Sequence, residues 1–265
     1  MELLHDNART LDVPDVMARF ARDGYALLGR VASDAVIEAM RARSDDIMLG
    51  RVAHEGLFFQ LDTETGKYEE LVYGRGWEGP SLNYRKIEKV ERDPVFLSWI
   101  ENPLFEQIAR ARIPGDLAIY RAVIMSKRAQ GGTRLPWHQD GGAFWGLDKD
   151  PELQIWTALD DAPAEAGCVE IVPRTHNKLA TPLGGVVPAE IVAARLGPDA
   201  GPAIVPLPAR AGEAILIHNY AWHRSGVNVT PSPRRALSVC YIPASTQCQR
   251  KRRAPRQFHR VFTRA

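Results

Sequence analysis

Residues 137–140 read Trp-His-Gln-Asp, and they lie among short apolar runs that alternate with turns rich in glycine, proline and aspartate. Runs of this length and spacing predict the strands of an all-β sandwich or barrel. The predicted strands are residues 117–125, 153–159, 168–172, 214–218 and 236–242. The sequence therefore predicts a mainly β core in the second half of the chain.

The spacing of apolar residues that is typical of helices occurs in the first half of the chain. Apolar side chains recur there at every third or fourth position, as on the buried face of an amphipathic helix. The predicted helices are residues 12–22, 34–46 and 94–111. Residues 25–28 predict a short strand, and residues 50–85 carry aromatic side chains with no regular period. We expect these segments to cover the β core.

No internal repeat and no linker rich in proline, glycine or serine divides the chain. We therefore expect a single domain over residues 1–265. Its expected parts are a mostly helical and irregular cover (1–115), a jelly-roll-like β core (116–245) and a basic C-terminal segment (246–265).

Composition is that of an ordinary globular protein. Hydrophobic residues make up 45% and charged residues 25% of the chain, which excludes disordered and fibrous classes. No apolar run is long enough to span a membrane, and residues 1–6 lack the features of a signal peptide. The three cysteines (Cys168, Cys240 and Cys248) are widely spaced and indicate a reducing compartment rather than a zinc site. We therefore expect a cytoplasmic protein.

Basic residues cluster at the C-terminal end. Seven arginines and lysines and no acid lie within residues 250–264, while the net charge of the whole chain is +2. Such a segment can contact nucleic acid or acidic lipid. The alternative is a solvated terminal segment, and the absence of a basic stripe elsewhere favours it.

His138 and Asp140 stand two residues apart. On an extended strand their side chains point to the same side, and that of Gln139 points to the other. One imidazole and one carboxylate make two of the three protein ligands of a facial metal site, which suits Fe(II) and leaves coordination positions open. The third ligand should be a histidine, and His218 and His223 are both candidates.

Further features stand at fixed distances from these residues. They are Trp156, eighteen residues after His138; a glycine-containing turn and strand at 166–176; the stretch 223–228; Arg234, eleven residues after His223; and an Arg-Asp-Gly-Tyr segment at 22–25. In this combination the sequence resembles the phytanoyl-CoA dioxygenase family of Fe(II)- and 2-oxoglutarate-dependent oxygenases. The resemblance covers most of the chain.

The resemblance implies a double-stranded β-helix, or jelly roll, with flanking N-terminal helices. It also implies Fe(II) as the metal, with 2-oxoglutarate and dioxygen as co-substrates. His138, Asp140 and His223 would be the iron ligands and catalytic residues; His223 is preferred to His218 because only His223 has an arginine at the family spacing. Related halogenases lack the carboxylate that Asp140 supplies, so halogenation is not expected.

The resemblance assigns the distal carboxylate of 2-oxoglutarate to Arg234. A guanidinium offers two parallel donors to a carboxylate and stays charged at any working pH. Its neighbour Arg235 would face the opposite side of the strand. The other residues that the resemblance places near 2-oxoglutarate are Ser225, Gln139, Trp156, Lys86 and Val123.

Residues 50–86 and the loop at 141–152 are the expected substrate-binding regions. The candidate contacts are Phe58, Tyr73, Asn83, Arg85, Phe144 and Trp145. Their mixture of apolar and polar groups suits a mid-sized, partly apolar metabolite, such as a secondary metabolite or an amino-acid derivative. No glycine-rich loop before a helix indicates a phosphate cradle for an acyl-CoA.

The expected reaction is hydroxylation of an unactivated C–H bond of a small molecule, with release of succinate and CO₂. Desaturation, epimerisation and ring formation by the same chemistry stay open. The alternative from another class is a non-catalytic jelly-roll protein that contacts nucleic acid through its basic C-terminal segment. The complete ligand set and Arg234 favour the enzyme. The sequence predicts no membrane partner, and it leaves monomer and homodimer open.

Overall fold

Two antiparallel sheets form the centre of the molecule in the computed structural model, which describes residues 11–53, 55–197, 203–250 and 256–263. The described elements are, in chain order, α1 (Val13–Asp23), β1 (Tyr25–Arg30), α2 (Asp34–Met48), β2 (Phe58–Leu61), β3 (Tyr84–Glu88), α3 (Pro94–Ile100), α4 (Pro103–Arg110), β4 (Leu117–Lys127), β5 (Leu135–Gln139), β6 (Leu153–Ala158), β7 (Val169–Val172), β8 (Gly185–Val186), α5 (Ala189–Arg195), β9 (Val205–Leu207), β10 (Glu213–His218), β11 (Trp222–Ser225), β12 (Arg234–Pro243) and β13 (His259–Val261).

The larger sheet has the strand order β1-β10-β6-β12-β4-β3-β2, with β13 paired to β4, and the smaller sheet has the order β8-β5-β11-β7-β9. The five strands predicted for the second half of the chain are confirmed as β4, β6, β7, β10 and β12. The mainly β architecture confirms the predicted fold class.

The larger sheet is buried on both faces. On its outer face, helix residues such as Phe20, Met40 and Phe105 pack with sheet residues such as Leu216 and Tyr241. On its inner face a second apolar cluster joins the two sheets, and its members include Trp156, Val169, Ile171, Ile215, Ile217 and Ala236. Fully burying one such side chain contributes roughly 1.5–3 kcal/mol. These two clusters hold the sheets in place around an open end, where the candidate site lies.

In helix α1, capping residues determine where the helix begins and ends, and its apolar side chains pack on this core. The Asp12 carboxylate accepts a hydrogen bond from the backbone N–H of Asp15 and caps the first turn. Gly24 ends the helix with a φ of +84°, and a Cβ there would lie 2.6 Å from Nδ1 of His176. The buried residues Val16 and Phe20 face the sheet. Among the described helices, none is long and apolar enough to cross a membrane.

Two predictions for the first half of the chain are wrong. Residues 94–111 form two helices, α3 and α4, because Asn102 caps a new helix with its side chain and Pro103 cannot continue the previous one. Residues 50–85 are not wholly irregular, since they contain β2 and the beginning of β3. Strand β2 is four residues long and pairs only at the edge of the sheet, so its sequence carries little periodicity.

The basic C-terminal segment packs on the core where it is described. Strand β13 pairs with β4, and Arg256 donates a hydrogen bond of 2.6 Å to the carbonyl oxygen of Tyr120. Arg250 donates one of 2.6 Å to the carbonyl oxygen of Phe144. A solvated terminal segment is therefore wrong for residues 256–263. Residues 1–10 and the basic residues Lys251, Arg252, Arg253 and Arg264 lie outside the described residues.

Candidate metal centre and cavity

The smaller sheet brings the three predicted metal ligands together. His138 on β5 and His223 on β11 are directly opposite each other, with ring centroids 4.0 Å apart. Asp140 follows β5, and its backbone N–H donates to the carbonyl oxygen of Asn219 at 2.7 Å. One potential ligand atom from each residue lies within 4.8 Å of the others.

His218, the other candidate ligand, lies elsewhere. Its ring stacks on Phe20 of α1 at 5.5 Å and lies 5.0 Å from the ring of His176. Its Nδ1 accepts a hydrogen bond of 3.0 Å from the backbone N–H of Tyr220, and burial lowers the pKa of His218 to about 3. His218 therefore belongs to the packing of α1 on the sheet.

Backbone carbonyls orient both imidazoles at the centre. Nδ1 of His138 lies 2.9 Å from the carbonyl oxygen of Pro136, and Nδ1 of His223 lies 2.9 Å from that of Ala221. A carbonyl oxygen only accepts, so each Nδ1 carries the proton and each Nε2 keeps a lone pair for a metal. Two neutral imidazoles and a carboxylate fit Fe(II).

The surroundings of His138 and Asp140 keep both side chains in the unprotonated, metal-binding form at neutral pH. Burial, followed by the proximity of His223, lowers the pKa of His138 to about 4. Burial acts to raise the pKa of the Asp140 carboxyl, but Arg121 and the two histidines together hold it well below its ordinary value. Arg121 and Gln154 donate hydrogen bonds of 3.2 and 2.9 Å to Asp140 Oδ2. The donor set thus consists of one ionised carboxylate and neutral imidazole nitrogen, which suits a divalent cation.

Arg234 lies at the beginning of β12 with its side chain in the same cavity. Its guanidinium is 3% exposed and donates to the carbonyl oxygens of Gly167 at 2.5 Å and Ala166 at 3.4 Å. Within the described ranges it has no carboxylate partner, and burial lowers its pKa to about 10. Arg235 faces the other way and forms ion pairs with Asp160 and Asp45.

Lys127 on β4 lies directly opposite Arg234 in the strand register. Its Nζ donates to the carbonyl oxygen of Thr133 at 2.5 Å, and the side chain is 5% exposed. Burial and the neighbouring Arg234 lower the pKa of Lys127 well below its ordinary value. Like charges placed opposite each other destabilise a sheet. Two buried cations with no carboxylate partner among the described residues make an anion-binding pocket.

The other predicted 2-oxoglutarate residues differ in their placement. Ser225 is buried, and its Oγ has no hydrogen-bond partner in the described structure; the Trp156 ring lies 5.9 Å from Cζ of Arg234. Both line the cavity. The Gln139 amide is occupied by backbone groups of Lys178, Ala180 and Tyr220.

Lys86 and Val123 are the two remaining residues of this group. Lys86 lines the cavity and forms an ion pair with Glu88. Val123 is fully buried and does not reach the cavity surface, although its neighbours Arg121 and Met125 line it. Val123 therefore shares the face of β4 that carries Arg121 and Met125 without lining the cavity itself.

The predicted substrate residues mostly line the outer part of the cavity, whose volume is about 510 Å³. Trp145 is buried and stacks on Tyr120 at 4.6 Å, while Phe144 is 64% exposed. Phe58, Tyr73 and Arg85 also line the cavity. Asn83 does not: it is exposed immediately before β3, and its backbone carbonyl accepts from the backbone N–H of Asp62. The loop at 141–152 thus both packs on the core and contributes to the cavity.

Sequence reasoning missed several residues of the site. They are Tyr68, Tyr120, Arg121, Lys127, Gln154 and Arg256. Tyr120 and Arg121 both line the cavity because Tyr120 is the extra residue of a β-bulge, unpaired with β12 between Ile119 and Arg121. Strand alternation predicts only one of two consecutive residues on a face. The charged side chain of Arg121 inside an otherwise apolar strand was the available signal.

Known proteins resemble this chain in sequence and in fold. A family model described as phytanoyl-CoA dioxygenase (PhyH) matches residues 20–236. Phytanoyl-CoA dioxygenase domain-containing protein 1 of Danio rerio is 26% identical over 252 residues, covering 83% of this chain and 86% of that protein. Phytanoyl-CoA dioxygenase 1 of Oryza sativa subsp. japonica is 26% identical over 250 residues, covering 84% and 86%.

Solved structures share the fold at lower identity. EctD from S. alaskensis, solved with 2-oxoglutarate and 5-hydroxyectoine, has a TM-score of 0.70 and 19% identity, covering 93% of this chain and 82% of that one. The epimerase SnoN, in complex with Fe³⁺, alpha ketoglutarate and nogalamycin RO, has a TM-score of 0.68 and 19% identity, covering 95% and 96%. These likenesses support the jelly-roll assignment.

By class, the protein is an iron- and 2-oxoglutarate-dependent oxygenase-type enzyme. The family model spans most of the chain, and the protein belongs to the phytanoyl-CoA dioxygenase family. Its cofactor is Fe(II), and its co-substrates are 2-oxoglutarate and dioxygen.

Proposed function

We propose that this protein hydroxylates an unactivated C–H bond of a small-molecule metabolite. One 2-oxoglutarate, one dioxygen and the substrate would give succinate, CO₂ and the hydroxylated product. The observation that carries the proposal is the arrangement of His138, Asp140 and His223 in the wall of a cavity that also holds the buried, unpaired Arg234. Bound iron would supply the activation of dioxygen, coupled to the decarboxylation of 2-oxoglutarate.

The residues around the metal ligands fix the ligand geometry. The carbonyls of Pro136 and Ala221 hold the two histidines in the metal-binding tautomer. Gln154 and Arg121 hold the Asp140 carboxylate by two hydrogen bonds. Residues that fix ligand orientation in this way typically change metal affinity or activity 10–100-fold when they are replaced.

Arg234 and Lys127 would bind the distal carboxylate of 2-oxoglutarate. Their positive charges are buried, so a carboxylate placed between them gains charge-assisted hydrogen bonds with little competition from water. The free hydroxyl of Ser225 supplies a further donor, and Trp156 supplies an apolar wall.

The cavity volume and lining support a mid-sized, partly apolar substrate. A volume of about 510 Å³ lies within the usual range for small-molecule sites. We infer a secondary metabolite or an amino-acid derivative. Epimerisation and ring formation are the competing outcomes. Of the solved structures that share this protein's fold, SnoN is an epimerase, and SnoK, which has a TM-score of 0.69 to this chain, is a carbocyclase.

We also propose a cytoplasmic location. Cys168, Cys240 and Cys248 are all free thiols, and the first two are buried. Unpaired cysteines are typical of a reducing compartment.

Anaerobic titration with Fe(II) and then 2-oxoglutarate tests the proposed centre. We expect a weak visible charge-transfer band in the wild type and its loss in His223→Ala, with His218→Ala as the matched control that keeps it. Succinate release on candidate substrates, followed by mass spectrometry of the product, then tests the reaction. Gain of one oxygen atom supports hydroxylation. Loss of two hydrogens would replace it with desaturation or ring formation, and an unchanged mass with inverted configuration would replace it with epimerisation.

A further inference from the structure

The cavity has an uneven charge. Nine basic side chains line it within the described part of the chain, against only two carboxylates, those of Glu88 and Asp140. Asp140 is the proposed iron ligand, and Arg234 and Lys127 belong to the proposed 2-oxoglutarate pocket. The remaining positive charge is therefore not accounted for by the iron or by 2-oxoglutarate.

One wall of the cavity holds much of this excess. Glu88 forms an ion pair with Lys86 and also interacts electrostatically with Arg85, Arg121 and Arg256. Glu88 thus lies among four cations, and Asp62 and Glu91 interact electrostatically with Arg85 and Arg256 respectively from outside the cavity lining. Arg121 has a second acidic partner, Asp140, at 3.2 Å. We call the four basic residues, Arg85, Lys86, Arg121 and Arg256, the cationic wall.

Arg85 and Arg256 are the two members of the cationic wall that donate only to neutral oxygens in the described structure. Arg85 donates to the neutral side-chain oxygen of Gln60 at 2.7 Å, and Arg256 donates to the carbonyl oxygen of Tyr120 at 2.6 Å. Neither has a carboxylate within 4.0 Å in the described ranges of the chain. A guanidinium has five N–H groups, so each side chain keeps donors for a ligand.

Apolar surface lies next to these charges. Arg256 lies over the ring of Tyr120 at 5.3 Å, Tyr120 stacks on Trp145 at 4.6 Å, and Arg121 lies over Trp145 at 4.8 Å. On the other side of the wall, Arg85 shares the cavity with Tyr68 and Tyr73. A ligand that fits this surface has an apolar body and at least one negative group.

We propose that the substrate is an organic anion, whose carboxylate or phosphate binds at the cationic wall beside Arg256 and whose apolar body lies against Tyr120 and Trp145, while Arg85 adds to the positive potential of the same cavity. This inference rests on the proposed function and defines its substrate class. It also gives the C-terminal segment a role, because Arg256 belongs to that segment. Half-buried guanidinium groups without an anion are poorly compensated, and a bound anion supplies the missing partner.

The test compares ligands that differ only in charge. Octanoate is matched with octanamide, and octyl phosphate is matched with octanol, which distinguishes a carboxylate from a phosphate requirement. Binding is measured by anaerobic calorimetry at constant ionic strength, on full-length protein loaded with Mn(II) and 2-oxoglutarate. We expect at least one of the two anions to bind about tenfold or more tightly than its neutral partner.

Variants identify the residues that cause the preference for the anion over its neutral partner. Arg85→Met and Arg256→Met should each weaken binding of the preferred anion several-fold, and the double variant should bind the anion and its neutral partner alike. Arg260→Met is the matched control, because Arg260 lies on β13 in the same segment and is exposed, outside the cavity lining. It removes the same charge and should change nothing.

Three outcomes would overturn the inference: equal affinity for charged and neutral partners, no measurable binding of either anion, or a preference for the anion that survives in the double variant. Binding in this assay does not require turnover. An enzyme that binds anions at the cationic wall but consumes no 2-oxoglutarate with any substrate would contradict the proposed function and leave the ligand class intact.

Discussion

Replacing Arg234 with methionine tests the 2-oxoglutarate pocket, because methionine has no charge and fills much of the same space. Arg234 uses two N–H groups on the carbonyls of Gly167 and Ala166, which leaves three of its five for a ligand. Two charge-assisted bonds to a carboxylate contribute about 1.5–3 kcal/mol each. The variant should therefore bind 2-oxoglutarate at least about 100-fold more weakly, since about 1.4 kcal/mol corresponds to tenfold.

The same substitution should not destabilise the protein without ligand. Burial lowers the pKa of Arg234 from 12.5 to about 10, which corresponds to roughly 3 kcal/mol of destabilisation of the folded state at neutral pH. The two carbonyls left without a donor offset this by about 1–3 kcal/mol. We therefore expect the melting temperature of the unliganded variant to equal or exceed that of the wild type.

The assay compares 2-oxoglutarate with 2-oxopentanoate, which has a methyl group in place of the distal carboxylate. Calorimetry on anaerobic, Mn(II)-loaded protein should show a strong preference for 2-oxoglutarate in the wild type and none in Arg234→Met. Arg235→Met is the control: it removes the ion pairs with Asp160 and Asp45, so it should lower stability and keep the preference. A preference that persists in Arg234→Met, or disappears in Arg235→Met, would refute the assignment.

Three other predictions follow from the same contacts. Lys127→Met should weaken 2-oxoglutarate binding about tenfold and leave 2-oxopentanoate binding unchanged in the same calorimetric assay; equal loss for both ligands would contradict it. Gln154→Leu removes one of the two hydrogen bonds that orient Asp140 and should lower metal affinity about 10–100-fold, measured by competition with a chelator. Unchanged affinity would show that Arg121 alone orients the carboxylate. His218, whose pKa is lowered to about 3, binds a proton more readily in the unfolded chain, where its pKa is about 6.5. Its contribution to stability is therefore complete above about pH 6.5 and falls by up to roughly 1.4 kcal/mol per pH unit toward pH 3. His218→Asn, which keeps an acceptor for Tyr220, should show a shallower acid dependence in urea unfolding, and an identical slope would argue against a buried neutral His218.

The sequence contains enough local information for the main strands and for the paired ligands. Runs such as residues 153–159 and 236–242 are continuous and apolar because the larger sheet is buried on both faces, and such runs stand out without an alignment. His138 and Asp140 are close in sequence, so strand alternation was sufficient to place them together. The choice of His223 needed the spacing of the family motif, since His218 flanks the same segment.

The features that sequence reasoning missed depend on contacts between distant residues. Lys127 faces Arg234 only because β4 and β12 pair in one register, and Gln154 reaches Asp140 from a strand in the other sheet. The break at Pro103 was visible in the sequence, but the apolar period continues across it and masked the boundary. The C-terminal segment was interpreted from its charge alone, whereas Val261 is buried and β13 pairs with β4.

The two kinds of support for the metal ligands differ in how they tolerate mutation. Both histidines are oriented by main-chain carbonyls two residues earlier in the chain, and every amino acid carries that carbonyl. Asp140 depends on the side chains of Arg121 and Gln154, which a single base change can remove. Sequence drift in this lineage should therefore spare the histidine geometry and affect the carboxylate first, through positions 121 and 154. A descendant that loses its metal would be expected to keep both imidazoles in place long after the third ligand has lost its orientation.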